Sequence, residues 1–214
     1  YIKRSPVTTY RSQRRGGRGV MGVDMKDQDF VQHLFVTNSH NHLLFFTDKG
    51  KVYRIKAYEI PELGRTARGT PVINLIQIEQ GESVNAVIPV QDFEGDQYLF
   101  FGTRQGVVKK TRLDDYVNIR KGGLIAINMR EDDELIEVKL TDGKQDIVLG
   151  TAYGMSIRFN EKDVRSMGRS ATGVKGVTLD EGDRVVGMDI ISDDMKVLIV
   201  TAKGYGKRTP GDEY

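Results

Sequence analysis

The sequence predicts an all-β, propeller-like fold of four-stranded blades, with about four repeats present and a partial unit at each end. Three observations predict it: a Thr-x-x-Gly signature recurring about every 50 residues, an apolar run of strand length before each signature, and little helical periodicity anywhere. The signature stands at Thr47-Asp48-Lys49-Gly50, Thr103-Arg104-Gln105-Gly106, Thr151-Ala152-Tyr153-Gly154 and Thr201-Ala202-Lys203-Gly204, so its glycines lie 56, 48 and 50 residues apart.

Each signature Thr closes an apolar run: LLFF before Thr47, YLFFG before Thr103, DIVLG before Thr151 and VLIV before Thr201. A glycine three residues on supplies the positive φ of a tight turn, so each unit opens with a β-hairpin. A second glycine follows at Gly69, Gly123 and Gly173. Behind it the pattern predicts a short apolar strand (Val72 to Leu75, Leu124 to Ile127, Val174 to Val177), an acidic turn, and an alternating strand (Val84 to Val90, Leu135 to Leu140, Val185 to Ile191). Four strands in about 50 residues is the period of a propeller blade. Single helical turns are expected at Leu113 to Tyr116 and Val164 to Met167. The chain therefore reads as one repeat domain, 1–214, with approximate blades at 1–37 (partial), 38–91, 92–142, 143–192 and 193–214 (partial).

The stretch QRRGGRG, Gln13 to Gly19, fits the same register. Gly19 lies 31 residues before Gly50, the separation that also holds from Gly123 to Gly154 and from Gly173 to Gly204. Arg15 then matches Arg65, and Arg4 matches the basic residue four positions after each turn glycine: Arg54, Lys110, Arg158 and Arg208. Gly17 to Gly22 also spells GxGxxG, but a polar arginine-rich stretch precedes it and no helix pattern follows, so a dinucleotide site is not supported.

Composition narrows the function. The 214 residues contain no cysteine, which excludes disulfides and thiolate zinc sites and fits a reducing compartment. No apolar run reaches the roughly 20 residues of a membrane-spanning helix. Net charge is only +2, but the first 20 residues hold six Lys and Arg and no acid, whereas Glu131 to Glu134 is a run of four carboxylates. Such segregation, with basic residues at one offset in each unit, predicts a curved basic belt suited to the phosphates of a nucleic acid. Edge-strand lysines that discourage aggregation are the simpler alternative. His40 and His42 read as a solvated turn rather than a metal site, and the acidic turns read as solvated loops. No nucleophile, acid–base pair or cofactor cradle is apparent.

QRRGGRG resembles the seven-residue box of DNA gyrase A subunits, with Arg18 where that box usually has Lys. YIKR at the start, TDKGKVYR from Thr47, YEIPELGRTARG from Tyr58, REDDEL from Arg130, MGRSATGVKG from Met167 and KGYGKRTP from Lys203 extend the resemblance over nearly the whole chain. The family resembled is the C-terminal domain of these subunits. It implies a β-pinwheel, in which strands are exchanged between blades, and a basic rim that wraps duplex DNA so that the holoenzyme introduces negative supercoils with ATP. The residues it implicates in DNA binding are Gln13, Arg14, Arg15, Gly16, Gly17, Arg18 and Gly19 of the box. With them stand Lys3, Arg4, Lys51, Arg54, Arg65, Arg68, Lys109, Lys110, Arg120, Lys121, Arg158, Arg169, Lys207 and Arg208. The implied partners are duplex DNA, the gyrase B subunit, and the N-terminal part of gyrase A, in a cytoplasmic, nucleoid-associated heterotetramer. The isolated domain is expected to be monomeric and away from membranes. It needs no cofactor, ATP and magnesium belonging to other parts of the holoenzyme. None of the nine tyrosines matches the cleavage-site context, so the chain alone is not expected to cut DNA. A topoisomerase IV-type domain and a protein-interaction scaffold are the alternatives.

Overall fold

A computed structural model describes residues 1–10, 15–17, 19–26 and 29–214. Its strands in chain order are β1 (His42–Thr47), β2 (Lys51–Lys56), β3 (Val84–Val90), β4 (Tyr98–Thr103), β5 (Val107–Arg112), β6 (Leu124–Ile125), β7 (Leu135–Thr141), β8 (Asp146–Thr151), β9 (Ser156–Asn160), β10 (Val174–Lys175), β11 (Val185–Ile191), β12 (Lys196–Val200) and β13 (Gly206–Pro210). The signature residues form the hairpin turns: at the first, the Gly50 N–H donates to the Thr47 carbonyl at 3.0 Å with Gly50 at φ +76°.

The sheets are ordered β3-β1-β2-β6, β10-β5-β4-β7, β11-β8-β9 and β12-β13. In both four-stranded sheets, three strands come from one unit and the fourth from the unit that follows. β6 pairs with β2 through Leu124 opposite Val52, and β10 pairs with β5 through Val174 opposite Val108. At the N-terminus Ile2 bridges Thr70 in the same way. This is strand exchange, and it makes the fold a β-pinwheel. The alternating strands β3, β7 and β11 pack side by side at the inner edge, which leaves the exchanged strands at the outer edge.

Sheets stacked face to face explain why the first strand of each hairpin, LLFF in β1 and YLFF in β4, is continuously apolar rather than alternating. Leu43 and Phe45 face a cluster that includes Ile60 and Ile76, while Leu44 and Phe46 on the opposite face pack with Leu99, Phe101 and Val138 of the next sheet. Phe100 turns the other way, to Ile147, Leu149 and Met188. The middle strands β1 and β4 are thus sealed on both sides.

Three expectations are corrected. Val72 to Leu75 is not a strand: after Pro71 the chain turns into a 3-10 helix, Val72–Asn74, so pairing stops at Thr70. The exchanged strands at Leu124 and Val174 keep only two residues each. The turn expected at Val164 to Met167 instead occupies Glu161–Asp163, where the Asn160 side chain accepts from the Lys162 N–H and starts it earlier.

The second glycine of the repeat is a closure point. At Gly173 φ is +103°, and a Cβ there would lie 2.5 Å from the Val108 carbonyl oxygen of the paired strand. Gly173→Ala is expected to lower stability by about 2 kcal/mol or more in urea denaturation, because backbone strain adds to a collision with backbone.

Candidate nucleic-acid interface

The segment that leads into each exchanged strand is a loop on the outer edge, and these loops carry cations. The first such segment in the register is the one before Gly19, which leads into no strand among the described residues; Arg15 is exposed on it. On the second, Arg65 and Arg68 are half-buried, the Arg68 guanidinium lying 4.0 Å from the centre of the Tyr1 ring and 3.5 Å from Asp29. Arg120 and Lys121 are exposed on the third. Arg169, half-buried on the fourth, donates to the Asp115 carbonyl at 3.3 Å. Exposed Arg165 and Lys175 lie beside it, Lys175 on the outermost strand β10; neither recurs at a fixed offset, so the repeat pattern does not single them out. Within the box, Arg15, Gly16, Gly17 and Gly19 are exposed or nearly so, while Gln13, Arg14 and Arg18 lie outside the described residues.

The basic residue four positions after each turn glycine has another task. Arg4 donates to the Ile60 carbonyl at 3.2 Å, Arg54 to that of Val117 at 2.5 Å, Lys110 to that of Glu161 at 2.6 Å and Arg158 to that of Gly211 at 2.8 Å. Each carbonyl sits in or just after a 3-10 turn that ends a hairpin, where backbone acceptors lack intrahelical partners. Arg4 also pairs with Glu62 at 2.8 Å, Arg158 with Asp146 at 2.7 Å and Asp193 at 2.8 Å, and Lys51 with Glu79. The constant offset therefore reflects registration of the backbone. For Lys110, only 6% exposed, a phosphate contact is ruled out by burial. Lys207 and Arg208 stay exposed on β13.

One position earlier, Lys3 and Lys109 do related work. Lys3 Nζ donates to the carbonyls of Gly22 at 2.8 Å, Ala67 at 2.8 Å and Gly64 at 3.3 Å, and to that of Arg65. Lys109 is fully buried, its Nζ donating to the Ala126 carbonyl at 2.6 Å and to that of Arg169, 5.3 Å from the Phe101 ring centre. Two expectations change here: Lys3, its donors turned to four carbonyls, and Lys109, by burial, do not present their Nζ to a phosphate. Burial pushes the Lys109 pKa down to about 7, with Arg169 reinforcing and Asp115 opposing the shift.

The acidic turns are also more than solvated loops. Thr47 Oγ1 donates to Glu82 at 2.6 Å, and Thr103 Oγ1 to Asp133 at 2.7 Å, both carboxylates being buried. Asp183 accepts from the Tyr153 N–H at 3.0 Å and bonds Thr151, and its pKa is lowered even though desolvation alone would raise it. One carboxylate per turn therefore clips the inner strand to the hairpin. Among the described residues no group of three or more His, Asp or Glu side chains is placed to hold a metal ion, and no helix is long and apolar enough to cross a membrane.

Comparison with known proteins places this arrangement. A family model described as the DNA gyrase C-terminal domain, β-propeller, matches residues 1–38, 41–91, 97–142, 145–192 and 196–214. The chain belongs to the DNA gyrase C-terminal domain family. Curated members of that family similar to it include the DNA gyrase A subunit of Halalkalibacterium halodurans, 61% identical over 178 residues, and that of Staphylococcus epidermidis, 52% identical over 217 residues. These matches take in 83% and 100% of this chain but only 21% and 24% of the relatives, so the chain spans about a quarter of their length or less. Among solved structures, the C-terminal domain of DNA topoisomerase IV superposes with a TM-score of 0.84 at 34% identity, covering all of this chain and 65% of that one. A DNA gyrase A C-terminal domain superposes at 0.78 and 28%, covering 99% and 69%.

Within this gyrase-type domain, Lys109 makes stability depend on pH. Its pKa is about 7 when folded and near the ordinary 10.5 when unfolded, so between these values the unfolded chain binds the extra proton. Stability from this group is fully present above about 10.5 and is lost as pH falls toward 7. The gap in urea midpoint between the wild-type chain and Lys109→Met is expected to shift in favour of the wild type from about pH 7 to about pH 10. A constant gap would show that Lys109 keeps its proton.

Proposed function

We propose that this chain binds and wraps duplex DNA along its outer rim, presenting it to a topoisomerase core so that gyrase introduces negative supercoils with ATP. The observation that carries the reading is the recurrence of cation-bearing loops, with Arg65, Arg120, Lys121 and Arg169 at the outer edge of successive units and exposed Arg15 at the matching place in the register. DNA phosphates form a continuous line of charge, and a curved row of cations answers it without reading bases. Arg14 and Arg18 of the box add charge beyond what the repeat requires. The partners in this reading are the gyrase B subunit, in the cytoplasm, together with the rest of gyrase A. The chain itself needs no cofactor and cuts no DNA.

A topoisomerase IV-type role is the second reading, favoured by the superposition on that enzyme's domain. The box QRRGGRG argues for the gyrase role. Closing a nicked circle with ligase in the presence of the chain at low salt is expected to trap positive writhe. Binding without any change in linking number would refute wrapping.

Replacing Arg14, Arg15 and Arg18 together by Ala is expected to reduce the trapped writhe more than the affinity. Equal losses would make the box one phosphate patch among several. Arg120→Ala with Lys121→Ala is expected to flatten the slope of log affinity against log salt by about 0.9 for each phosphate no longer neutralised. Lys110→Met, which removes an interior cation, is expected to lower thermal stability and leave that slope unchanged.

A further inference from the structure

We propose that Lys3 and Lys109 form a repeated latch that positions the rim-loop arginines Arg65 and Arg169, which makes Lys3 a positioning residue for DNA wrapping. The proposal rests on the wrapping reading above. Lys109 stands three residues after the turn glycine Gly106, and Lys3, next to Arg4 as Lys109 is next to Lys110, takes the same place in the repeat register; the two reach equivalent acceptors. One acceptor is the carbonyl three residues after a second glycine: Gly22 after Gly19 for Lys3, Ala126 after Gly123 for Lys109. The other is the carbonyl of the arginine four residues before the next second glycine: Arg65 before Gly69, Arg169 before Gly173. Each lysine Nζ thereby ties the segment leaving one rim loop to the arginine of the following loop.

At Lys3 the cage is completed by the carbonyls of Gly64 and Ala67. An ammonium has three N–H donors, so four acceptors from two separate segments share them, and the whole Gly64 to Ala67 loop converges on one point. The Asp24 N–H adds a bond to the Thr66 carbonyl at 2.9 Å, closing a second tie between the same segments. The segment so fixed is continuous with the box. Lys3 therefore sets where Arg15 lies relative to Arg65, although its own charge faces carbonyls. At the intervening unit the position is Tyr53, whose hydroxyl donates to Glu82 at 3.0 Å, so the loop with Arg120 and Lys121 has no lysine latch. The arrangement alternates latched and unlatched loops.

The test uses the chain with a duplex of about 150 bp, one persistence length, carrying a donor and an acceptor dye at its ends. Kd at low salt and transfer efficiency at saturation are read separately. Lys3→Met is expected to change Kd by no more than about threefold, because a caged ammonium is not a phosphate contact. It is expected to lower the saturated efficiency at least about twofold toward that of free DNA, because the rim cations lose their fixed spacing. Because Lys3 acts through Arg65, Lys3→Met combined with Arg65→Ala is expected to be no worse than Arg65→Ala alone.

Unchanged efficiency in Lys3→Met, or losses that add in the double variant, would overturn the latch and leave wrapping standing. A wild-type chain that binds without raising the efficiency would overturn the wrapping reading and this proposal together. If Lys3→Met does not fold, Lys3→Gln takes its place; its shorter stem draws the donors back from the cage, and an efficiency equal to wild type would again refute the latch.

Discussion

Everything in this fold depends on one set of backbone hydrogen bonds: those by which the second hairpin strands β2 and β5 each accept a strand from the unit that follows. Without them β2 and β5 would present bare edges, and bare edges recruit other chains. Leu124 opposite Val52 and Val174 opposite Val108 close those edges from within the same polypeptide. Only a glycine can stand where the incoming chain passes the Val108 carbonyl, which is why the repeat keeps a second glycine well away from any hairpin turn.

Exchange then dictates the use of charge. A chain that leaves one sheet, turns and enters its neighbour leaves carbonyls without strand or helix partners, and these cannot be left unpaired near the core. Arg4, Arg54, Lys110 and Arg158 meet such carbonyls at the turns, and Lys3 and Lys109 meet them at the loops. Long flexible cationic side chains suit this task because they reach across a unit boundary while their stems pack on apolar surface. Cations free for a polyanion are those left over, such as Arg15, Arg120, Lys121 and Lys175, which are exposed on the rim loops and the outermost strand.

Much of the architecture was legible in the residue pattern, because hairpin turns demand a positive φ and middle strands buried on both faces demand unbroken apolar runs. Thr47 with Gly50 and the LLFF run before them carry both signals. The range Val84–Val90 was readable because its alternation matches a strand whose two faces differ in burial. Exchange was not readable from periodicity: the partner of β2 lies far downstream, in a strand two residues long, too short to leave a pattern. The basic offset was visible but its meaning was not, since a lysine aimed at a carbonyl and one aimed at a phosphate look alike in sequence. Lys109 illustrates the limit, because its 0% exposure is set by residues as distant in the chain as Ala126 and Arg169.

The exchanged strands also impose an order in time. The sheet begun by β1 and β2 stays open on its outer side until Leu124 and Ile125 are made, and the next stays open until Val174 and Lys175. At a synthesis rate of roughly 5–20 residues per second, each sheet waits several seconds for its last strand to emerge. Neighbouring units therefore cannot be completed independently, unlike the repeats of a solenoid, whose contacts are with finished neighbours. Growth proceeds as a ratchet, each newly made loop locking the blade before it.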